Sequence, residues 1–97
     1  MRIISCKKIK EAQQIYPETS TALEGWYRLI AKNDFGNFAE LKSVFKSVDK
    51  VEDRYVFNIG GNKLRLIAII QFDRRKVYIK HILTHKEYDL TKWKKNS

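Results

Sequence analysis

The apolar residues of this chain recur with one period before Tyr55 and with another from Tyr55 onward, and this switch restricts the fold more than any other feature of the sequence. In the first half Cys6, Ile9, Ala12, Ile15 and Tyr16 recur at helical spacing behind Ser5, a residue able to cap through its hydroxyl, and this predicts a helix to about Tyr16. Pro17 disfavours a helical Tyr16 but suits the first turn of a new helix. Ala22, Leu23, Trp26, Tyr27, Leu29 and Ile30 then form a second apolar stripe, ending between Asn33 and Gly36. Asn37 with Glu40 three residues on predicts a capped third helix burying Phe38, Leu41 and Phe45. From Tyr55 the period becomes two: Tyr55, Phe57 and Ile59 alternate with Val56 and Asn58, Gly60-Gly61-Asn62 supplies positive-φ residues for a hairpin, and Lys63 to Phe72 is a long apolar run. Asp73-Arg74-Arg75 turns into a third strand, Lys76 to Leu83, and Arg2 to Ile4 is suited to an edge strand. The expected class is α+β, with N-terminal helices on one face of a small antiparallel sheet.

Alternation also assigns faces on the central strand. Leu64, Leu66, Ala68, Ile70 and Phe72 are expected to lie on the helices. Lys63, Arg65, Ile67, Ile69 and Gln71 then take the other side, an exposed and partly basic face that Asn58 and Lys80 would join. Charge follows the same division: nine basic residues stand against six acidic ones through Val51, and eleven against five after it, for a net +9. A surplus of this size suits a polyanion or an acidic partner. At 97 residues with 43% hydrophobic content the chain has material for one core and one domain, with a mobile basic tail expected over residues 91–97. The lone Cys6 forms no internal disulfide, no apolar run is long enough to span a membrane, and Met1-Arg2-Ile3-Ile4 turns polar too soon for a signal peptide. A cytoplasmic protein with no membrane partner is expected.

The sequence lacks a phosphate-binding glycine loop, a His or Cys pair at zinc spacing and a nucleophile-elbow serine, so neither a metal nor another cofactor is expected. His81, inside a strand, reads as a half-buried structural residue. His85 opens Thr84-His85-Lys86-Glu87-Tyr88-Asp89, where an imidazole, an ammonium, a phenol and two carboxylates are packed together. Such a segment is either a solvated helix start, with Glu87 capping or pairing with Lys86, or a site. Cleavage of RNA by its own 2′-hydroxyl requires a base, an acid and a cation for the phosphorane, and His85, Tyr88 and Arg65 have the chemistry for those roles. Equally, Arg65 could pair with a carboxylate and Tyr88 pack its ring on the sheet.

The motifs Phe57-Asn58-Ile59-Gly60-Gly61-Asn62-Lys63-Leu64-Arg65-Leu66-Ile67-Ala68 and Thr84 to Asp89, in that order, closely resemble the HigB family of toxins within the RelE-like superfamily, and the likeness runs from the first helix through Asp89. The resemblance implies an endoribonuclease of the messenger RNA interferase type, cutting messenger in the ribosomal A site. It implies a HigA-type helix-turn-helix antitoxin as partner, with DNA contacted only through that complex. By position Arg65 matches the central-strand arginine that contacts the scissile phosphate, and His85 and Tyr88 fall where related toxins keep residues that assist proton transfer. Asn58, Asn62, Lys63, Lys80 and Lys86 are the expected RNA-binding residues around them. The chain departs from the RelE branch at Val56 and Asn58, where lysines would stand, so no lysine base is present there. His85 is the first candidate for acid or base, since an imidazole ordinarily titrates near pH 6.5 and a phenol near 10. Which group is acid and which base is open at this level. A non-catalytic basic module that blocks translation by occupying RNA or ribosome has the same composition, as does a domain for an acidic protein partner.

Overall fold

A computed structural model of the chain describes residues 1–90, so the expected tail, Thr91 to Ser97, lies outside the described residues. Strand β1 (Arg2–Ile4) leads into helix α1 (Cys6–Ile15), which turns Ile9 and Ala12 inward. Ser5 does not cap this helix through its hydroxyl. Its backbone is left-handed, at φ 78°, without the extended geometry that aims an N-cap oxygen at the next amides; its carbonyl instead accepts from the Lys8 amide at 3.0 Å. Pro17 opens a 3-10 turn, Pro17–Thr19, that runs into α2 (Ser20–Lys32), with Leu23, Trp26 and Ile30 buried. At the far end of α2 the Met1 ammonium donates to the carbonyls of Ile30, Ala31 and Asn33, satisfying acceptors that a helix leaves without partners. Helix α3 (Phe38–Val44) is capped as its sequence predicts: Asn37 Oδ1 accepts from the Glu40 amide at 2.9 Å, and the Glu40 carboxylate accepts from the Gly36 amide at 2.6 Å.

Strands β2 (Asp49–Val51), β3 (Arg54–Ile59), β4 (Leu64–Gln71) and β5 (Lys76–Thr84) complete a five-stranded sheet in the order β1-β5-β4-β3-β2. The meander β3-β4-β5 is antiparallel, as expected, and its first hairpin turns through Gly60 and Gly61 at φ 62° and 69°. Strand β1 runs parallel to β5, which makes the sheet mixed. Strand β2 is an addition to the sequence reading, because three residues are too few for a period of two to show.

The helices and the sheet enclose one main core. Leu23 and Ile30 of α2, Ile9 of α1 and Leu41 of α3 meet Phe57, Leu64, Leu66 and Val77 of the sheet. Phe57 lies at its centre, edge-on to Trp26 at 5.4 Å and to Phe45 at 5.2 Å. Phe57→Ala is expected to cost about 3–5 kcal/mol, since the surroundings of a truncated core residue relax only partly into the space it leaves. Urea unfolding followed by circular dichroism measures this. Among the described residues no helix is long and apolar enough to cross a membrane.

On the other face the structure corrects the expectation of an open basic surface. Val56 and Ile67 form a second apolar cluster there, covered by Val51, Leu83 and Tyr88, and Ile67 is fully buried. Tyr88 arrives on a short helix, α4 (His85–Asp89), that folds back from the end of β5. A β-bulge changes the facing of β5 along its length: Ile67 pairs with His81 and Ala68 with Ile79, so Lys80 is an extra residue without a partner opposite. Val77 and Ile79 face the helices before the bulge, and Ile82, opposite Leu66, does so after it. His81 and Leu83 are thereby delivered to the face that carries Arg65.

Candidate active site

Register brings the site together. Arg65 of β4 stands between Asn58 of β3 and Leu83 of β5, and the next row outward is Val56, Ile67 and His81. Arg65 thus takes the face its position in the alternation predicts, but it is not exposed there. It retains 8% of its surface because Tyr88 of α4 covers it, with the guanidinium carbon 5.9 Å from the ring centroid. Its Nη1 donates to the Leu64 carbonyl at 3.1 Å and its Nη2 to Asn62 Oδ1 at 3.3 Å. Among the described residues no carboxylate lies within ion-pair distance of it.

Helix α4 is fixed at its first residue. Thr84 Oγ1 accepts from the Glu87 amide at 3.1 Å, and Glu87 Oε1 accepts from the Thr84 amide at 2.9 Å, a reciprocal cap. Glu87 is therefore the capping acid of the two roles its sequence allowed. The cap sets the first turn so that His85 and Tyr88, three residues apart, lie next to each other on the helix surface. His85 is half exposed, and its Nδ1 meets Asp89 Oδ2 at 3.0 Å. A neutral imidazole that donates from Nδ1 keeps Nε2 as an acceptor, the arrangement that suits a general base and, once protonated, an acid. Sequence reasoning passed over Asp89 as the partner of His85; the signal was present in the i, i+4 spacing of the two within a helical segment.

The expected RNA contacts divide between two places. Asn58, Asn62 and Lys63 are exposed at and beside the β3-β4 turn, and Lys86 is exposed on α4. Lys80, at the bulge, instead lines a cleft of about 310 Å³ between α1 and β5, with Lys8, Glu11, Tyr16, His81 and Glu87 among its walls. Partial burial pushes the His81 imidazole below its ordinary value, and the nearby cations Lys8, Lys80 and Arg54 add to the shift. The consequence for stability has a definite sign. Both states hold His81 neutral well above pH 6.5, but as pH falls through about 6.5 the unfolded chain takes up the proton first, so stability is lost on acidification. Replacing His81 with glutamine is expected to flatten that loss between about pH 7 and pH 5, measured as denaturation midpoints across the range.

Residues 19–91 match the family described as HigB toxin, the RelE-like toxic component of a toxin-antitoxin system. The chain is 42% identical over 92 residues to a protein of Escherichia coli named mRNA interferase toxin HigB, covering 92% of this chain and 88% of that protein. A Shigella flexneri protein named mRNA interferase HigB shares the same identity and coverage. A second Escherichia coli protein of that name is 39% identical over 92 residues, covering 92% of this chain and 89% of its own length.

Proposed function

Because this chain belongs to the HigB family of RelE-like toxins, we propose that it is the toxin of a toxin-antitoxin pair and an mRNA interferase, an endoribonuclease that cuts messenger during translation. The observation that carries the chemistry is the guanidinium of Arg65, held beneath Tyr88 of the helix that also carries the His85-Asp89 pair, with no carboxylate among the described residues within ion-pair distance of it. The strand passes over the β4 face as Tyr88 and α4 give way, so that its scissile phosphate reaches Arg65. The neighbouring 2′-hydroxyl attacks phosphorus, the 5′-oxygen leaves, and the 2′,3′-cyclic phosphate stays with the upstream fragment. His85, oriented by Asp89, moves a proton in this exchange, Arg65 stabilises the phosphorane's added charge, and Tyr88 orients or stacks on a base and supports proton transfer. Asn58, Lys63 and Lys86 contact the strand near the site, and Lys80 does so from the cleft by α1.

The ribosome supplies what a chain of 97 residues does not, an RNA already held in extended order in the A site, so cleavage follows the reading frame. Action on translating ribosomes places the protein in the cytoplasm. The family is the toxic half of a pair, so an antitoxin partner goes with it. A HigA-type helix-turn-helix protein fits that part, covering basic surface and stabilising the toxin by mass action, with operator DNA contacted through the antitoxin.

Induction of the chain in growing cells, followed by mapping of 5′ ends on a reporter messenger with and without its start codon, tests the reading. In-frame cuts confined to the translated reporter are expected, and co-expression of the antitoxin is expected to restore growth. Growth arrest with no new 5′ ends would favour simple occupancy of the ribosome, and equal cutting of the untranslated reporter would remove the dependence on translation.

A further inference from the structure

We propose that Asn62 is a positioning residue that fixes the Arg65 guanidinium through an uncharged acceptor, leaving the whole positive charge available to the scissile phosphate. The inference rests on the reading of Arg65 as the phosphate-binding cation. An arginine buried to this degree is ordinarily paired with a carboxylate, because an unpartnered charge away from water is costly. Among the described residues Arg65, at 8% exposure, meets neutral groups instead: the Leu64 carbonyl at 3.1 Å, the Asn62 side-chain oxygen at 3.3 Å and the face of Tyr88 at 5.9 Å. A carboxylate in place of the amide would grip the guanidinium more firmly, but it would also cancel much of its field and repel the incoming phosphate. The amide oxygen orients the fork and leaves the net charge untouched.

Local backbone geometry explains why this residue is the one within reach. Gly60 and Gly61 both stand at positive φ, and the Lys63 amide closes the turn on the Gly60 carbonyl at 3.4 Å. A Cβ at Gly61 would meet nothing within 4 Å, so it is the backbone conformation and not space that calls for glycine there. The turn returns the chain into β4 with Asn62 three residues before Arg65, on the side where the guanidinium folds back. The run Gly60-Gly61-Asn62-Lys63-Leu64-Arg65 thus encodes the hairpin and the orientation of its arginine together.

The test compares wild type, Asn62→Ala and Asn62→Asp on ribosomes programmed with a single messenger, with kcat and KM measured separately and circular dichroism confirming the fold. Asn62→Ala is expected to lower kcat about 10- to 100-fold with KM changed by less than about three-fold, the pattern of a misaligned group that acts in the transition state. Asn62→Asp has nearly the same shape and suits a turn as well as asparagine does, so a merely structural role predicts its rescue. The proposal predicts no rescue and a kcat at or below that of Asn62→Ala. Side-chain ¹⁵N spectra give a readout apart from activity: the Arg65 Nη signals are expected to be resolved in wild type and averaged by rotation in Asn62→Ala. Wild-type kcat in Asn62→Asp, or a raised KM with unchanged kcat in Asn62→Ala, would overturn the proposal. Absence of cutting by wild type itself would instead remove the ribonuclease reading on which it stands.

Discussion

Replacing Arg65 with alanine is expected to lower messenger cleavage by at least about 100- to 1,000-fold, the scale on which a single transition-state donor contributes, and to abolish growth arrest. The side chain is buried under Tyr88, so its loss also removes packing, and Arg65→Ala alone would confuse a missing cation with a loosened α4. Arg65→Lys resolves this. Lysine keeps the charge and most of the stem, but its ammonium has no planar fork to span two phosphate oxygens and no flat face to lie against the ring. It is expected to fold with a near-normal unfolding midpoint and still cleave at least about ten-fold more slowly than wild type. Ribosome co-sedimentation should persist for both variants, because most of the +9 charge remains. Full cleavage by folded Arg65→Ala would remove the guanidinium from the mechanism.

His85→Gln should have the other large effect, a loss of about 100- to 10,000-fold in cleavage rate with little change in stability. The imidazole is half exposed and is bonded to Asp89 on the surface, so the fold does not depend on it. Asp89→Asn keeps an acceptor for Nδ1 but exchanges a charge-assisted hydrogen bond for a weaker neutral one that orients the ring less firmly, and a smaller fall, about ten-fold, is expected. Single-turnover cleavage on programmed ribosomes measures both. Wild-type rates in folded His85→Gln would pass the acid or base role to Tyr88 or Lys86.

The parts of the fold that depend on local pattern were legible before any coordinates. Asn37 and Glu40 announced a capped helix, two glycines announced a hairpin, and Leu64, Leu66, Ala68 and Ile70 announced the buried face of β4. What was not legible depends on distant pairings. The parallel partnership of β1 with β5 has no local sign, and neither does the bulge at Lys80 that sets His81 opposite Ile67. The site shows the same division. Arg65 was assigned to the right face because alternation is local, but its burial depends on α4 folding back over the sheet, a contact between residues twenty-three positions apart in the chain. Thr84 and Glu87 carried the signal for that helix as a capping pair, and Asp89 carried the signal for the orientation of His85.

The proposed reaction has this chain cut messenger RNA with its own side chains by using the 2′-hydroxyl of the substrate. The most direct test is the chemistry of the new ends. After cleavage on programmed ribosomes, mass spectrometry of the upstream fragment is expected to show a 2′,3′-cyclic phosphate and the downstream fragment a 5′-hydroxyl. A 3′-hydroxyl paired with a 5′-phosphate would mean that water attacked the phosphorus instead, and would contradict the account.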